Sequence, residues 1–308
     1  MTARYAFLGP EGTFAHAAAQ QLAGDEGIEL VPHASVTQAI DALIAGAVDA
    51  AVVPLENSVE GAVPATLDAL TGEAPMVILA ETFLPVVFDL MARPGTELAG
   101  VKTIATHPHA EAQVRRYLLS SLPGAAVALV GSTAGGAAAV GRGEYDAAVA
   151  PVSAAQLYGL DTLAHDIADN QGAVTRFVLL SRPTPAPAPT GNDRTTLVTY
   201  LRSDHSGALL QILTEFASRG INLTRIESRP TKGQIGQYCF SIDCEGHIAD
   251  ARVADALAAL YRVCAGVRYL GSYQRQDGRQ APVSIGFTDP DFVDAAGWLA
   301  RIRQHGTS

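Results

Sequence analysis

The chain has 308 residues, room for two or three domains with real cores, and its 48% apolar and 17% charged content marks a folded protein rather than a disordered one. A formal charge of −10 with no Lys/Arg-rich run argues against nucleic acid as a partner but allows an anionic small molecule in a locally charged cleft. The three cysteines, Cys239, Cys244 and Cys264, fit neither a zinc spacing nor a disulfide framework, no apolar stretch reaches membrane-spanning length, and no signal-peptide pattern precedes the first strand, so a cytoplasmic protein with reduced thiols is expected.

The first element is a strand, Tyr5-Ala6-Phe7-Leu8, followed by "GPEGTF" (9–14) and a helix. Two glycines between strand and helix expose backbone N–H groups near Gly12 and Thr13 to an anion; the same pattern also serves as an ordinary turn. Next comes "SVTQAIDALIAGAVDAAVVP" (35–54), which aligns without gaps on "STAGGAAAVGRGEYDAAVAP" (132–151) at eight identical positions of twenty. Each copy reads as a capped helix, a glycine stop and a buried strand ending at Pro. Upstream of each lies a strand, a Pro-bearing turn and a helix. Two such α/β halves imply two parallel-stranded lobes facing one another, with ligand beyond the carboxyl ends of the strands. The turns expected there are "GPEGTF", "PLENS" (54–58), "THPHA" (106–110) and the one after Pro151.

"PLENS" delivers Glu56, Asn57 and Ser58 to the cleft edge, where Asn and Ser can hold a carboxylate or can simply cap the next element. His107 and His109 flank Pro108, and no further ligand-spaced residue supports a metal there. "DNQGAVTRFVLLSRP" (169–183) sets Thr175 and Arg176 at the mouth of an apolar strand. They stand there either as polar residues facing water or as functional groups held on a rigid element.

"SRPTPAPAPTGNDR" (181–194) reads as a stiff linker. We therefore expect domains at 1–182 and 195–275, a linker at 183–194 and an extension at 276–308. Beyond the linker the pattern is strand (195–202), helix (207–219), strand (221–228), strand (236–243), helix (250–262) and strand (266–273), the ferredoxin-like βαββαβ order. Ser206 is the expected cap of the first helix, Gly220 its stop, and Leu209, Leu210, Leu213 and Phe216 its apolar face. In the tail, Asp289 reads as a cap with Pro290 at the first helical position, and Phe292, Leu299 and Ile302 as the packing face.

Taken together, "GPEGTF", "PLENSVEG", "THPHAEAQ", "DN" (169–170), "TRF" (175–177), "GALLQIL" (207–213), "GINLTRIESRP" (220–230) and "LGSY" (270–273) resemble the prephenate dehydratase family, from near the start to about residue 275. The resemblance implies a two-lobed, periplasmic-binding-protein-like α/β catalytic domain and a C-terminal ACT domain. It implies a cytoplasmic enzyme that turns prephenate into phenylpyruvate, CO2 and water without metal or organic cofactor. Thr175 is then the catalytic threonine, walled by Arg176 and Phe177, with Gly12, Thr13, Asn57, Ser58 and Arg176 holding the substrate. Phenylalanine is the implied allosteric effector, bound between paired ACT domains near Gly207, Ala208, Leu209, Asn222, Glu227, Ser228, Arg229 and Pro230, in a homodimer or homotetramer. Two positions depart from the family pattern: Ala173 stands where Asn is common, and His109 where Gln is common. Arogenate, the amino analogue, is the alternative substrate, and a non-catalytic amino-acid sensor the alternative class.

Overall fold

The structure is a computed structural model that describes residues 2–25, 27–231, 238–280 and 282–306. Its elements run β1 (Arg4–Leu8), α1 (Phe14–Ala23), β2 (Glu29–His33), α2 (Val36–Ile44), β3 (Ala50–Asn57), β4 (Gly61–Ala62), α3 (Pro64–Leu70) and β5 (Val77–Pro85). Then come β6 (Asp89–Ala92), β7 (Thr103–Thr106), α4 (Pro108–Ser121), β8 (Ala126–Leu129), α5 (Thr133–Gly141), β9 (Ala147–Ala150), α6 (Val152–Tyr158), β10 (Asp161–Ala164) and β11 (Val174–Ser181). The rest is β12 (Asp193–Tyr200), α7 (Ala208–Ala217), β13 (Leu223–Pro230), β14 (Tyr238–Glu245), α8 (Ala251–Val263), β15 (Gly266–Gln274) and α9 (Asp289–His305). The chain divides into two compact units, residues 1–66 with 82–179, and residues 67–81 with 180–308.

Two sheets build the lobes. The first has the order β2-β1-β3-β11-β5, with β4 on β3, and the second β10-β6-β9-β7-β8. Strands β1–β3 and β7–β9 pair in parallel within their lobes. The chain enters the second lobe after β5 and returns with β11, which inserts beside β3. A near-continuous apolar run is what such a strand requires, buried on both faces, and Phe177 to Leu180 supply it.

The sequence echo corresponds to a repeated construction. Ser35 and Ser132 cap α2 and α5 by accepting from the N–H groups of Gln38 and Gly135. Gly46 and Gly143 follow those helices at φ 74° and 83°. Asp49 accepts the Arg4 N–H at 2.8 Å, and Asp146 accepts the N–H groups of Lys102 and Thr103 at 3.0 and 2.9 Å. In each lobe the aspartate before one strand therefore ties down the start of its parallel neighbour.

In the second unit the four strands run β13-β14-β12-β15, all antiparallel. One sheet face carries α7 and α8 over Leu197, Ile212, Phe216, Ile242, Val253 and Leu260. The strands also bury polar side chains. Thr196 donates to Asp243, which also takes a two-pronged ion pair from Arg225. Residues 67–81 supply further partners to this unit: Arg194 pairs with Glu81 at 2.5 Å, and the Tyr200 hydroxyl donates to the Thr71 carbonyl. Gly271, at φ 129°, has no space for a side chain, because a Cβ would meet the Ile78 carbonyl oxygen.

Several local expectations shift. Strand β12 already starts at Asp193, whose carboxylate closes the turn at Thr190 and Gly191, so the last residues of the apparent linker are built into the sheet. The N-cap of α7 is Gly207, not Ser206. Its buried stripe is Ala208, Ile212 and Phe216, while Leu209 and Leu210 are exposed. Four-residue spacing, not total hydrophobicity, decides which face turns inward. Thr288 rather than Asp289 caps α9, because that register puts Asp291 three residues on and completes a reciprocal capping box. The freed Asp289 accepts the Ala251 N–H. No residue of α9 is buried, and Leu299 is among its exposed apolar side chains; Phe287, just before the helix, lies against Gly220 instead. The predicted strand start at 236–237 lies outside the described residues.

Asp146 provides a test of the repeated tie. Its three bonds, including one from Thr103 Oγ1, hold its carboxyl below the ordinary aspartate range, the Lys102 N–H contributing most. A depressed folded-state value adds stability above the ordinary pKa, and that stability is lost as pH falls through the lowered one. Asp146→Ala is expected to cost about 1.5–3 kcal/mol, typical of hydrogen bonds to a charged group, as a lower urea midpoint at neutral pH. The deficit should shrink toward pH 3. An unchanged midpoint at pH 7 would show that the tie carries no stability.

Candidate active site and effector pocket

Within the first unit, a cavity of about 490 Å³ opens between the two lobes. The N-termini of four helices line it: Thr13, Phe14 and Ala15 of α1, Ser35 to Thr37 of α2, His107, His109 and Ala110 of α4, and Ser132 and Thr133 of α5. The four N-cap residues, Thr13, Ser35, His107 and Ser132, are all in the lining. Neither Lys, Arg, Asp nor Glu is among the described lining residues. The positive field comes from the backbone, where each helix start behaves as roughly half a positive charge. Apolar surface is contributed by Leu8, Val36, Phe88 and Phe177, and Phe14 and Phe88 meet edge to face at 5.5 Å.

Thr175 and Phe177 reach the cavity from β11, and strand alternation sends Arg176 to the other face. There the guanidinium is 1% exposed and paired with Glu56 Oε1 at 2.9 Å. The structure thus brings Thr175 and Phe177 to the cavity but not Arg176. Thr175, 8% exposed, has a fixed partner: Asn57 Nδ2 donates to its Oγ1 at 2.8 Å. The Asn57 orientation follows from its other end, where Oδ1 accepts the N–H groups of Val59 and Glu60. Ser58 locks the same register, its N–H donating to the Val174 carbonyl and its Oγ accepting the Val174 N–H. Asn57 and Ser58 therefore hold Thr175 rather than line the cavity.

The glycine turn is also tied internally. Thr13 Oγ1 accepts the His16 N–H as the cap of α1 and lies within hydrogen-bond reach of the Leu8 and Pro10 carbonyls. Gly12, at φ 84°, packs on Ala154 of α6, and its N–H donates to His16 Nδ1. At the rim, Glu60 meets two residues of α4: Gln113 donates to it at 2.8 Å, and His109 Nδ1 lies 3.3 Å away. His109, the departure from the family pattern, thus lines the cavity and touches Glu60. Ala173, the other, is buried in the apolar core of the second lobe.

The sequence pattern did not single out the turns after β2 and β8, which carry Ser35 to Thr37 and Gly131 to Thr133. The signal was present, since Ser35 and Ser132 are matched positions of the internal echo. The turn after Pro151, expected at the site, instead buttresses the glycine loop, Ser153 donating to the Gly12 carbonyl and Tyr158 to that of Glu11.

In the second unit a cavity of about 270 Å³ lies at the start of α7, lined by Leu201, Asp204, His205, Gly207 to Leu210, Ser228, Tyr238 and Phe240. Of the predicted effector residues, Gly207, Ala208, Leu209 and Ser228 line it. Glu227 and Pro230 lie on β13 beside it without entering the lining, and Arg229 is occupied by Asp68 at 2.5 Å. Asn222 is at the opposite end of β13, roughly 20 Å along an extended strand, and its carbonyl accepts the Glu245 N–H. The structure does not bring it to this pocket of its own chain.

A family model for prephenate dehydratase matches residues 5–185, and one for the ACT domain residues 195–260. The prephenate dehydratase of Amycolatopsis methanolica is 49% identical over 304 residues, covering 98% of each chain. The crystal structure of a prephenate dehydratase from Arthrobacter aurescens in complex with L-Phe superimposes with a TM-score of 0.91 at 48% identity, covering 98% of this chain and 100% of that one. A structure described as GqqA, a novel type of quorum quenching acylase, superimposes at 0.79 with 34% identity over 90% of this chain and all of that one. The fold is thus shared with a protein named for different chemistry, and the side chains in the cavity must distinguish them.

The site makes a prediction for His107. Burial, then the neighbouring His109, push its pKa below the ordinary histidine value, while Glu60 pulls it up more weakly. Its Nδ1 accepts the His109 N–H, a bond only the neutral ring can make. Its contribution to stability is therefore present above the ordinary histidine pKa and lost as pH falls through the lowered one. NMR titration of the imidazole is expected to place His107 below 6.5, the ordinary value. A value above it would contradict the neutral cap.

Proposed function

This chain belongs to the prephenate dehydratase family, and from that premise we propose that it converts prephenate to phenylpyruvate, CO2 and water in the cavity beside Thr175. Phenylalanine regulates it from the pocket at the start of α7. The observation that carries the chemical reading is the order of hydrogen bonds at Thr175. Because Asn57 donates to Oγ1, the hydroxyl proton of Thr175 is left to be given away, and the bond from Asn57 makes that hydroxyl a stronger donor.

The reaction needs such a donor. As the ring aromatises, the bond from C1 to its carboxylate breaks and its electrons enter the ring. The C4–OH bond breaks with its electron pair, and one proton is taken up to release water. Thr175 meets the departing oxygen as a general acid or strong hydrogen-bond donor, and solvent replaces the proton. The second carboxylate stays on the pyruvyl chain. Four helix N-termini receive the dianion, and the apolar walls favour expulsion of a carboxylate as neutral CO2. The same field supports prephenate over arogenate, whose ammonium would face helix N-termini with no carboxylate among the described lining residues. Arg176 takes a positioning role: through Glu56 it holds the end of β3 that presents Asn57.

For the effector, the start of α7 offers N–H groups to a carboxylate, and Leu201, Leu209, Leu210 and Phe240 offer an apolar wall to a ring. Exposed Leu210 and Ile226 and the open edge of β13 support pairing of ACT domains in a homodimer or homotetramer, since such edges are usually paired or covered.

Two measurements test this reading. Thr175→Ala is expected to lower kcat by about a hundredfold or more with little change in KM, and Thr175→Ser to restore a substantial part. An alanine variant within a few-fold of the parent would remove Thr175 from the chemistry. Gly207→Leu, which fills the effector pocket, is expected to raise the phenylalanine concentration for half-inhibition at least tenfold, corresponding to about 1.4 kcal/mol. A parent enzyme that binds no phenylalanine by calorimetry would end the regulatory part and leave the dehydratase part standing.

A further inference from the structure

His16 is absent from the cavity lining, yet it stands behind the loop that forms one wall. Its ring stacks on Phe7 of β1 with centroids 5.0 Å apart and planes 25° apart, which fixes its orientation. Nδ1 then accepts the buried Gly12 N–H at 3.1 Å. The His16 N–H, in turn, donates to Thr13 Oγ1. One residue thus closes the turn from both ends. On the other side of that turn the Gly12 carbonyl takes Ser153 Oγ, and the Glu11 carbonyl takes the Tyr158 hydroxyl. The peptide between Glu11 and Gly12 is held with its carbonyl toward α6 and its N–H toward His16.

We infer that His16 is a positioning residue for the dehydration proposed above, its neutral imidazole setting the loop that presents Thr13 and Phe14 to the substrate. The inference rests on that reading of the cavity. A free N–H at Gly12 would be one more donor for the anion; engaged by His16, it serves the turn instead. Protonation at Nδ1 replaces the acceptor by a second donor facing the Gly12 N–H, and the two repel. The loop is then released, and with it Phe14, which meets Phe88 of the opposite lobe. Burial already favours the neutral ring, lowering its pKa, and Glu11 of the same loop is the charged group that opposes this. Phe7, the neighbour from β1, is uncharged.

Two variants separate positioning from bulk structure. In His16→Asn the Oδ1 takes the place of Nδ1 and accepts the same N–H but does not titrate. His16→Leu keeps the bulk and removes the acceptor. His16→Leu is expected to lower kcat/KM for prephenate by about tenfold or more at pH 8, as loss of loop placement does. His16→Asn should recover most of it and extend activity to lower pH than the parent enzyme. In the parent protein labelled with 15N-glycine, the Gly12 amide resonance should move with the ionisation of His16; in His16→Asn that movement should vanish. A Gly12 amide indifferent to His16 ionisation overturns the inference, as does a leucine variant with the parent's pH–rate profile. If the parent protein does not turn over prephenate, the assignment of the reaction fails, while the Gly12 amide still decides whether His16 sets the turn.

Discussion

The side chain of Asn57 can point only one way, and the site is organised around that restriction. Its oxygen is taken by two backbone N–H groups of the turn that follows, so its nitrogen must face Thr175. That contact exists because β11, after its excursion through the second lobe, returns to lie beside β3. Ser58 and Glu56 then fasten the two strands, the first through the backbone of Val174 and the second through Arg176. A hydroxyl that accepts from an amide has its own proton to offer. The proposed chemistry, which needs a donor, therefore rests on a register between strands about 120 residues apart in the chain.

The second constraint is electrostatic. In the function proposed above, a chain with ten more acidic than basic side chains receives an anion in a cavity whose described lining has neither Lys nor Arg. Backbone dipoles resolve the conflict. The carboxyl ends of parallel strands lead into helix starts, and two facing lobes point four of those starts at one volume. Donors of this kind stay fixed during the reaction, so they need little reorganisation as charge moves. The same arrangement explains why the lobes are built alike: each Ser cap, glycine stop and strand-tying Asp serves to deliver a helix N-terminus to the cavity edge.

In the second unit, burial is divided between two chemistries. Helices α7 and α8 cover apolar side chains, while Thr196, Arg225, Ser241 and Asp243 form a hydrogen-bonded polar cluster. Buried ion pairs of this type add little net stability, because desolvation offsets most of the attraction. Residues 67–81 take part in that unit through Asp68, Thr71 and Glu81, although the linker lies more than a hundred residues later in sequence. Composition has no means of showing such a pairing.

Local patterns along the chain specify the α/β lobes, the βαββαβ unit, the duplicated half and the place of Thr175 and Phe177 on a buried strand. These follow from local rules: apolar periodicity, glycine stops, serine caps and proline ends. The sequence also held, in the matched Ser35 and Ser132, a pointer to the other two turns of the cavity. What the tertiary structure alone decided is which polar residues touch the cavity and which hold those that do. Arg176, Asn57, Ser58 and the Gly12 N–H all looked like substrate contacts, and each is engaged by another part of the chain. His16, in the first turn of α1, sits behind the glycine turn. The physical reason is that a hydrogen bond depends on direction over about 3 Å, and direction is set by contacts between segments far apart in the sequence.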